Sequence, residues 1–240
     1  MADDKTAGLR RRFYETVSVQ GETAPFGVTL DGRPVKTPGR LDLAVQTAPL
    51  AAAIADEWDA QAEHIRPHTM PLTQIACTAI ERVAAERAEI EKGIARYAET
   101  DLVCYRAETP ADLAERQAKH WQPALDWLAA SHSVRLAVTT SILPTPQDHA
   151  ALDRVAEMLR PYDPHELAVV SVLTQATNSV VLALAVVEGA LDVDAATEAA
   201  QLDEDYQKEL WGLDREAEIR LQALRADIAA ADRYLALHRS

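Results

Sequence analysis

The chain has 240 residues, with 24 Lys plus Arg against 38 Asp plus Glu, for a formal net charge of −14. Hydrophobic residues make up 48% and charged residues 26%, the balance of a globular chain long enough to bury a core without staples. So acidic a chain excludes a nucleic-acid binder, which needs a basic face to release counterions, and its two cysteines, Cys77 and Cys104, form no CxxC and exclude a disulfide scaffold.

From the N-terminus, MADDKTAGLRRRF lacks the apolar core of a secretory signal, and Asp3 and Asp4 before Arg10, Arg11 and Arg12 are unlike a transit peptide; the expected compartment is the cytoplasm. Residues 13–45 read as β-structure. Phe13, Val17 and Val19 share one face of a period-two run, and Phe26, Val28 and Leu30 share another. Asp31-Gly32 predicts a hairpin, with a return strand over Arg33 to Thr37 that Pro34 confines to an edge. Leu41, Leu43 and Val45 alternate once more.

At Thr47, a candidate N-cap, the period changes. Leu50, Ile54 and Trp58 recur every fourth residue, and a second helical pattern carries Ile75, Ala79 and Val83 to about Thr100. Leu113 to Ala130 is amphipathic, with Pro123 expected to kink or split it. Val134 to Val138 reads as a weak lone strand, and Pro144 and Pro146 mark a linker. Leu167 to Val187 is apolar nearly all round and reads as one buried central helix, in which Gln175 and Asn178 would need partners. It is long enough to span a membrane, but polar residues interrupt it and no Lys or Arg flanks it. In the last helix, Ala217, Leu221, Leu224, Ile228, Ala231 and Leu235 form a stripe suited to a neighbouring helix. The fold class expected is α+β: a small β-rich N-terminal domain over residues 1–46, then a larger α-helical domain over 47–240, with a sub-boundary near 143–147.

Motifs for chemistry fail one by one. His64 and His68 stand four apart, but Pro67 lies between them and no HExxH occurs, so no metal is expected. Gly27 and Gly32 have phosphate-loop spacing, yet Arg33-Pro34 follows where Lys-Ser/Thr is required, so no nucleotide and no other cofactor is expected. There is no GxSxG, and Cys104 reads better as a buried structural thiol than as a nucleophile. The charge is more informative. Pro161 to Gln207 holds no Lys or Arg and nine acids, which gather toward Asp203-Glu204-Asp205, just before Tyr206 and Trp211. Such a segment is either a solvated face that keeps the chain soluble or a docking patch for a basic partner surface.

Several segments resemble one family, the assembly chaperones that hold the α subunit of the F-type ATP synthase catalytic head. They are Val28-Thr-Leu-Asp-Gly-Arg-Pro-Val-Lys-Thr-Pro38, Ala53-Ile-Ala-Asp-Glu-Trp-Asp-Ala-Gln61, Met70-Pro-Leu-Thr73, Tyr97-Ala-Glu-Thr-Asp-Leu-Val-Cys-Tyr-Arg106, Leu202-Asp-Glu-Asp-Tyr-Gln207 and Trp211-Gly-Leu-Asp-Arg-Glu-Ala217. Each motif is weak alone; six in order over residues 13 to 220 are specific. The missing transit peptide looks like that of a bacterial, α-proteobacterial member. The resemblance implies a non-enzymatic, ATP-independent chaperone that binds the unassembled α subunit and keeps it from aggregating, with no nucleic acid, nucleotide or integral membrane segment involved. On that footing, Asp203, Glu204 and Asp205 are expected to steer the partner, with Trp211 as anchor and Asp214 and Glu216 beside it. Trp58, Asp101, Tyr105 and Arg106 are equally family-like, but their helical setting assigns them to fold maintenance, with Trp58 buried. Two other classes stay open: an enzyme with a composite site from His120, Asp101 and Cys104, and a general acidic scaffold for basic proteins.

Overall fold

The computed structural model describes residues 8–212 and 215–240. Four short antiparallel strands come first: β1 (Val17–Gln20), β2 (Phe26–Leu30), β3 (Arg33–Pro34) and β4 (Ala44–Val45). β2 is the spine. It pairs with β1 through Val17↔Leu30 and Val19↔Val28, with β3 through Thr29↔Pro34, and with β4 through Phe26↔Val45. The hairpin turn has φ of 49° at Asp31 and 75° at Gly32, the left-handed pair that a two-residue primed turn demands. The Asp31 carboxylate also accepts the backbone N–H groups of Thr16 and Glu15 and the Thr16 hydroxyl, which binds the approach to β1 onto the turn and holds that carboxyl below its usual range.

The face carried by Val28 and Leu30 is buried as the alternation predicts, with Phe26 half-buried. The first run departs from expectation: Val17 and Val19 sit opposite Leu30 and Val28 on the same face, yet Val19 is exposed, as is Phe13, because β1 is an edge strand and only Val17 leans on the core. The Phe13 ring lies instead under the Arg10 guanidinium, 4.1 Å away. The return strand is also shorter than read. It stops at Pro34, and the chain turns through Thr37–Arg40 before the Leu43 N–H comes back to the Val35 carbonyl at 3.0 Å.

Thr47 caps α1 (Ala48–Asp59), its hydroxyl accepting the Leu50 N–H at 3.4 Å. Leu50 and Ile54 are fully buried as α1 packs on β1 and β2; Trp58, expected buried, is only half-buried at the far end of the stripe. α2 (Pro71–Thr78) passes through a π-helical turn, Ala79–Val83, into α3 (Ala84–Ala95). α4 (Ala111–His132) is continuous through Pro123, correcting the expected split. Pro123 and Lys119 are both exposed, so water can take the carbonyl that the proline leaves without a donor. Val134–Val138 forms no strand; the one pairing nearby is a bridge between Tyr105 and Thr139.

α5 (His149–Leu159) precedes the central pair. The apolar run read as one helix is two: α6 (Pro164–Thr177) and α7 (Val180–Val187). Asn178 closes α6 in the left-handed conformation, at φ 50°, and Ser179 caps α7 by accepting the Leu182 N–H at 3.0 Å. Gln175 and Asn178 are exposed, so neither needs a partner in the core. Every residue of α7 is buried, and α6 packs against α2, α3, α7 and the last helix. α8 (Val193–Trp211) and α9 (Arg215–His238) complete the helical bulk. The architecture is α+β, a small antiparallel sheet followed by helices, and among the described residues no helix is long and apolar enough to cross a membrane.

Candidate functional site

The corner where α8 ends and α9 begins is built from the inside outward. Ala196, Ala199, Leu202 and Tyr206 turn the inner face of α8 toward α4, where the Trp121 indole donates to the Ala199 carbonyl at 2.8 Å. Further along, the Tyr206 hydroxyl donates to Asp112 at 3.0 Å, Gln117 donates to Asp203 at 2.7 Å, and Arg116 grips both Glu209 oxygens at 2.8–2.9 Å. A second seam joins α8 to α9. Gln201 donates to the Leu221 carbonyl and accepts from Arg225, which also pairs with Asp205 at 3.5 Å. Gly212, at φ 77°, ends α8.

Between the two helices lies a groove of about 490 Å³ lined by Glu204, Gln207, Trp211, Ala217, Leu221 and Leu224, with Lys208 and Arg220 at its edges. The periodic stripe of α9 explains its floor. Ile228, Ala231 and Leu235 are buried in the core, whereas Ala217, Leu221 and Leu224 are not fully covered by the chain itself. Trp211 is 78% exposed, and Leu210 and Ile219, at 55% and 56%, stand on either side of the same corner. Three large apolar side chains on one helical corner, among charges, make a surface suited to another protein.

The six residues expected to bind a partner fall into different settings. Glu204 is exposed and lines the groove, and Trp211 is its most exposed ring. Asp203 is half-buried and spoken for by Gln117, and Asp205 is half-buried beside Arg225; both bind the corner together from within. Glu216 is exposed and paired with Arg220 at 3.2 Å. Asp214 lies outside the described residues. Leu210, Ile219, Leu221 and Leu224 carry no contact expectation from the sequence: the α9 stripe is legible there, but where its cover ends is not.

The other four family-like residues hold segments in place. Tyr14 donates to the Trp58 carbonyl at 2.7 Å and meets its ring edge-on, while the buried Trp58 Nε1 has no hydrogen-bond partner. Asp101 is fully buried between two helix starts. It accepts the Val103 N–H at 3.2 Å, the Val181 N–H at 3.1 Å and the Ser179 hydroxyl at 2.5 Å. Burial pushes its carboxyl up to about 6 despite those donors. The Tyr105 hydroxyl accepts the Thr145 N–H, and Arg106 caps the Val103 carbonyl beside the Trp121 ring.

The composite site is not assembled. His120 lies 3.9 Å from Glu198 and has no bond to Asp101 or Cys104. The Cys104 thiol is buried and pushed up to about 12, and that of Cys77 to about 11, the reverse of an activated nucleophile. No group of three or more candidate metal ligands occurs among the described residues.

A family model described as the ATP12 chaperone protein matches residues 11–129. Protein atp12, mitochondrial, of Schizosaccharomyces pombe is 25% identical over 214 residues, covering 84% of this chain and 74% of its own. The crystal structure of Atp12 from Paracoccus denitrificans has a TM-score of 0.87 and 37% identity, over 95% of this chain and 98% of its own. A protein from Agrobacterium tumefaciens gives a TM-score of 0.89 and 36% identity, over 95% of this chain and 86% of its own. Fold and likeness together define a chaperone of α+β architecture. The chain belongs to the ATP12 chaperone family, the assembly chaperones of the F1 ATP synthase.

Proposed function

We propose that this chain binds the unassembled α subunit of the F-type ATP synthase catalytic head, in the cytoplasm, and holds it without nucleotide and without catalysing a reaction. A free subunit exposes apolar surface that its neighbours later cover, and it aggregates unless something covers that surface first. A holder must also let go, which favours a compact apolar patch with charged surroundings over a large one. The observation that carries this reading is the corner of Leu210, Trp211 and Ile219 beside a groove whose underside is bolted to α4. In this proposal Trp211 is the anchor and Glu204 the charge that guides the partner, with Glu216 as a further contact; Asp203 and Asp205 act by keeping the corner in shape.

The test is co-expression with the α and β subunits of the same organism, followed by capture without nucleotide. Selective retention of α, with more of it staying soluble, is expected. Glu204→Lys should weaken capture by roughly three- to tenfold, the range for a charge at the rim of an interface. Its melting temperature should stay at the parent value, since Glu204 is exposed. Equal capture of α by the Glu204→Lys variant would remove that residue from the surface. Capture of neither subunit would remove the function.

A further inference from the structure

One more surface lies away from that corner. Residues 137–147, AVTTSILPTPQ, carry no charge in a chain of net charge −14. They leave the body as a loop whose neck is closed by one side chain: buried Gln147 accepts the Ala137 N–H at 2.7 Å and donates to the Ala137 carbonyl at 3.0 Å. The rest is pinned as well. The Thr139 N–H donates to the Cys104 carbonyl at 2.9 Å, and the Arg106 N–H donates to the Thr139 carbonyl at 2.8 Å. The Thr145 N–H reaches the Tyr105 hydroxyl at 3.2 Å, while the Thr139 and Ser141 hydroxyls accept the Ser141 and Leu143 N–H groups at 3.0 Å. At the tip Ile142 is 98% exposed and Leu143 70% exposed, followed by Pro144. A closed, braced loop that presents two bare aliphatic side chains has the form of a knob, and surface loops of this kind carry function more often than stability.

We propose that Ile142 and Leu143 form a second contact with the client subunit, inserted as a knob into an apolar socket on it. The inference rests on the reading that this chain holds such a client. Size argues against a second copy as the occupant. Two side chains fall far short of the roughly 800 Å² per partner of a stable dimer, and at −14 two copies repel each other. Charge argues against a bilayer, because the loop has no Lys or Arg to meet anionic headgroups and the chain as a whole is repelled by them. On the client the knob adds to the contact already made at the α8–α9 corner, so it needs little area of its own. Tyr105, Arg106 and Gln147 are positioning residues here, since they fix the direction in which the tip points.

The experiment compares the full chain with I142S/L143S in capture of the unassembled α subunit. With both aliphatic side chains lost from the socket, the double variant should bind at least about tenfold more weakly. Its melting temperature should match the parent, since neither side chain is packed in the fold. Capture by the parent and undiminished capture by the variant would overturn the knob while leaving the holding function intact. Failure of the parent itself would overturn both. Sedimentation equilibrium and flotation with vesicles of phosphatidylcholine and phosphatidylserine complete the test. A dimer or a vesicle-bound form that I142S/L143S abolishes would place a different occupant on the loop and overturn the assignment.

Discussion

Asp101 shows how one buried side chain can join distant segments. It ends the approach to the Leu102–Cys104 turn, and its two oxygens gather the Ser179 hydroxyl and the Val181 N–H from the start of α7. The helix start favours the anion, but full burial outweighs it and sets the carboxyl at about 6 against an ordinary 3.8. Because the folded value is the higher one, folding takes up a proton between the two. The resulting stability is complete below about pH 4 and is lost as pH rises through 6, about 3 kcal/mol in all at 1.36 kcal/mol per unit. Asp101→Asn cannot ionise. Urea unfolding of parent and variant from pH 4.5 to 7.5 should show the parent losing about 2 kcal/mol relative to the variant, the remainder having been lost below pH 4.5. A constant difference between them would mean that Asp101 does not titrate in this window.

At the scale of elements, the break between α6 and α7 is the most informative. Ser179 both caps α7 and donates to Asp101, so Ser179→Ala removes a cap and leaves a buried carboxylate short of a donor. The expected cost is about 2–3 kcal/mol, read as a lower urea midpoint. The same break explains what periodicity can and cannot reveal. The hairpin at Asp31-Gly32 and the helix start at Thr47 are legible because the residues that cause them sit beside them in the chain. The run from Leu167 to Val187 is apolar on every side, so no face marks where one helix stops; the break is set by Asn178 and Ser179, and the Asp101 that braces it lies 78 positions away. Pro123 misleads for the converse reason: a helix breaker is tolerated where its lost hydrogen bond faces water. Val19 is a third case: it shares a sheet face with buried Val28, but alternation does not say how far toward the edge strand that face is covered.

Across the whole molecule, the C-terminal helix gathers the rest. The Thr47 hydroxyl donates to the Leu237 carbonyl at 2.6 Å, His238 meets Asp163 at 2.7 Å, and Arg239 binds Glu166 at 2.7–2.9 Å and the Val187 carbonyl at 2.8 Å. One helix end thereby touches α1, α6 and α7. Arg239→Ala should cost about 1–2 kcal/mol, with amide exchange accelerating first near residues 230–238. Burial raises the Asp163 carboxyl, but donation from His238 and the backbone of Glu166 and His165 outweighs it and holds the group at about 2. Its contribution is therefore present above the ordinary carboxylate range and fades as pH falls toward 2. None of this clasp was legible in the sequence, because its partners lie far apart along the chain. Of the candidate corner, the exposed positions of Glu204 and Trp211 agree with the charge asymmetry that pointed to them, while the open length of the α9 stripe emerged only once its neighbours were placed. That division of α9 also bears on speed. Its C-terminal half is buried in the core and its N-terminal half is tied to α8 through Leu221 and Arg225 while leaving Leu221 and Leu224 partly open, so the groove exists before any partner arrives. If the groove is the docking surface as proposed, the entropy of ordering it is already spent in the chaperone's own folding, and association would be set by collisions in the right orientation rather than by a change of shape.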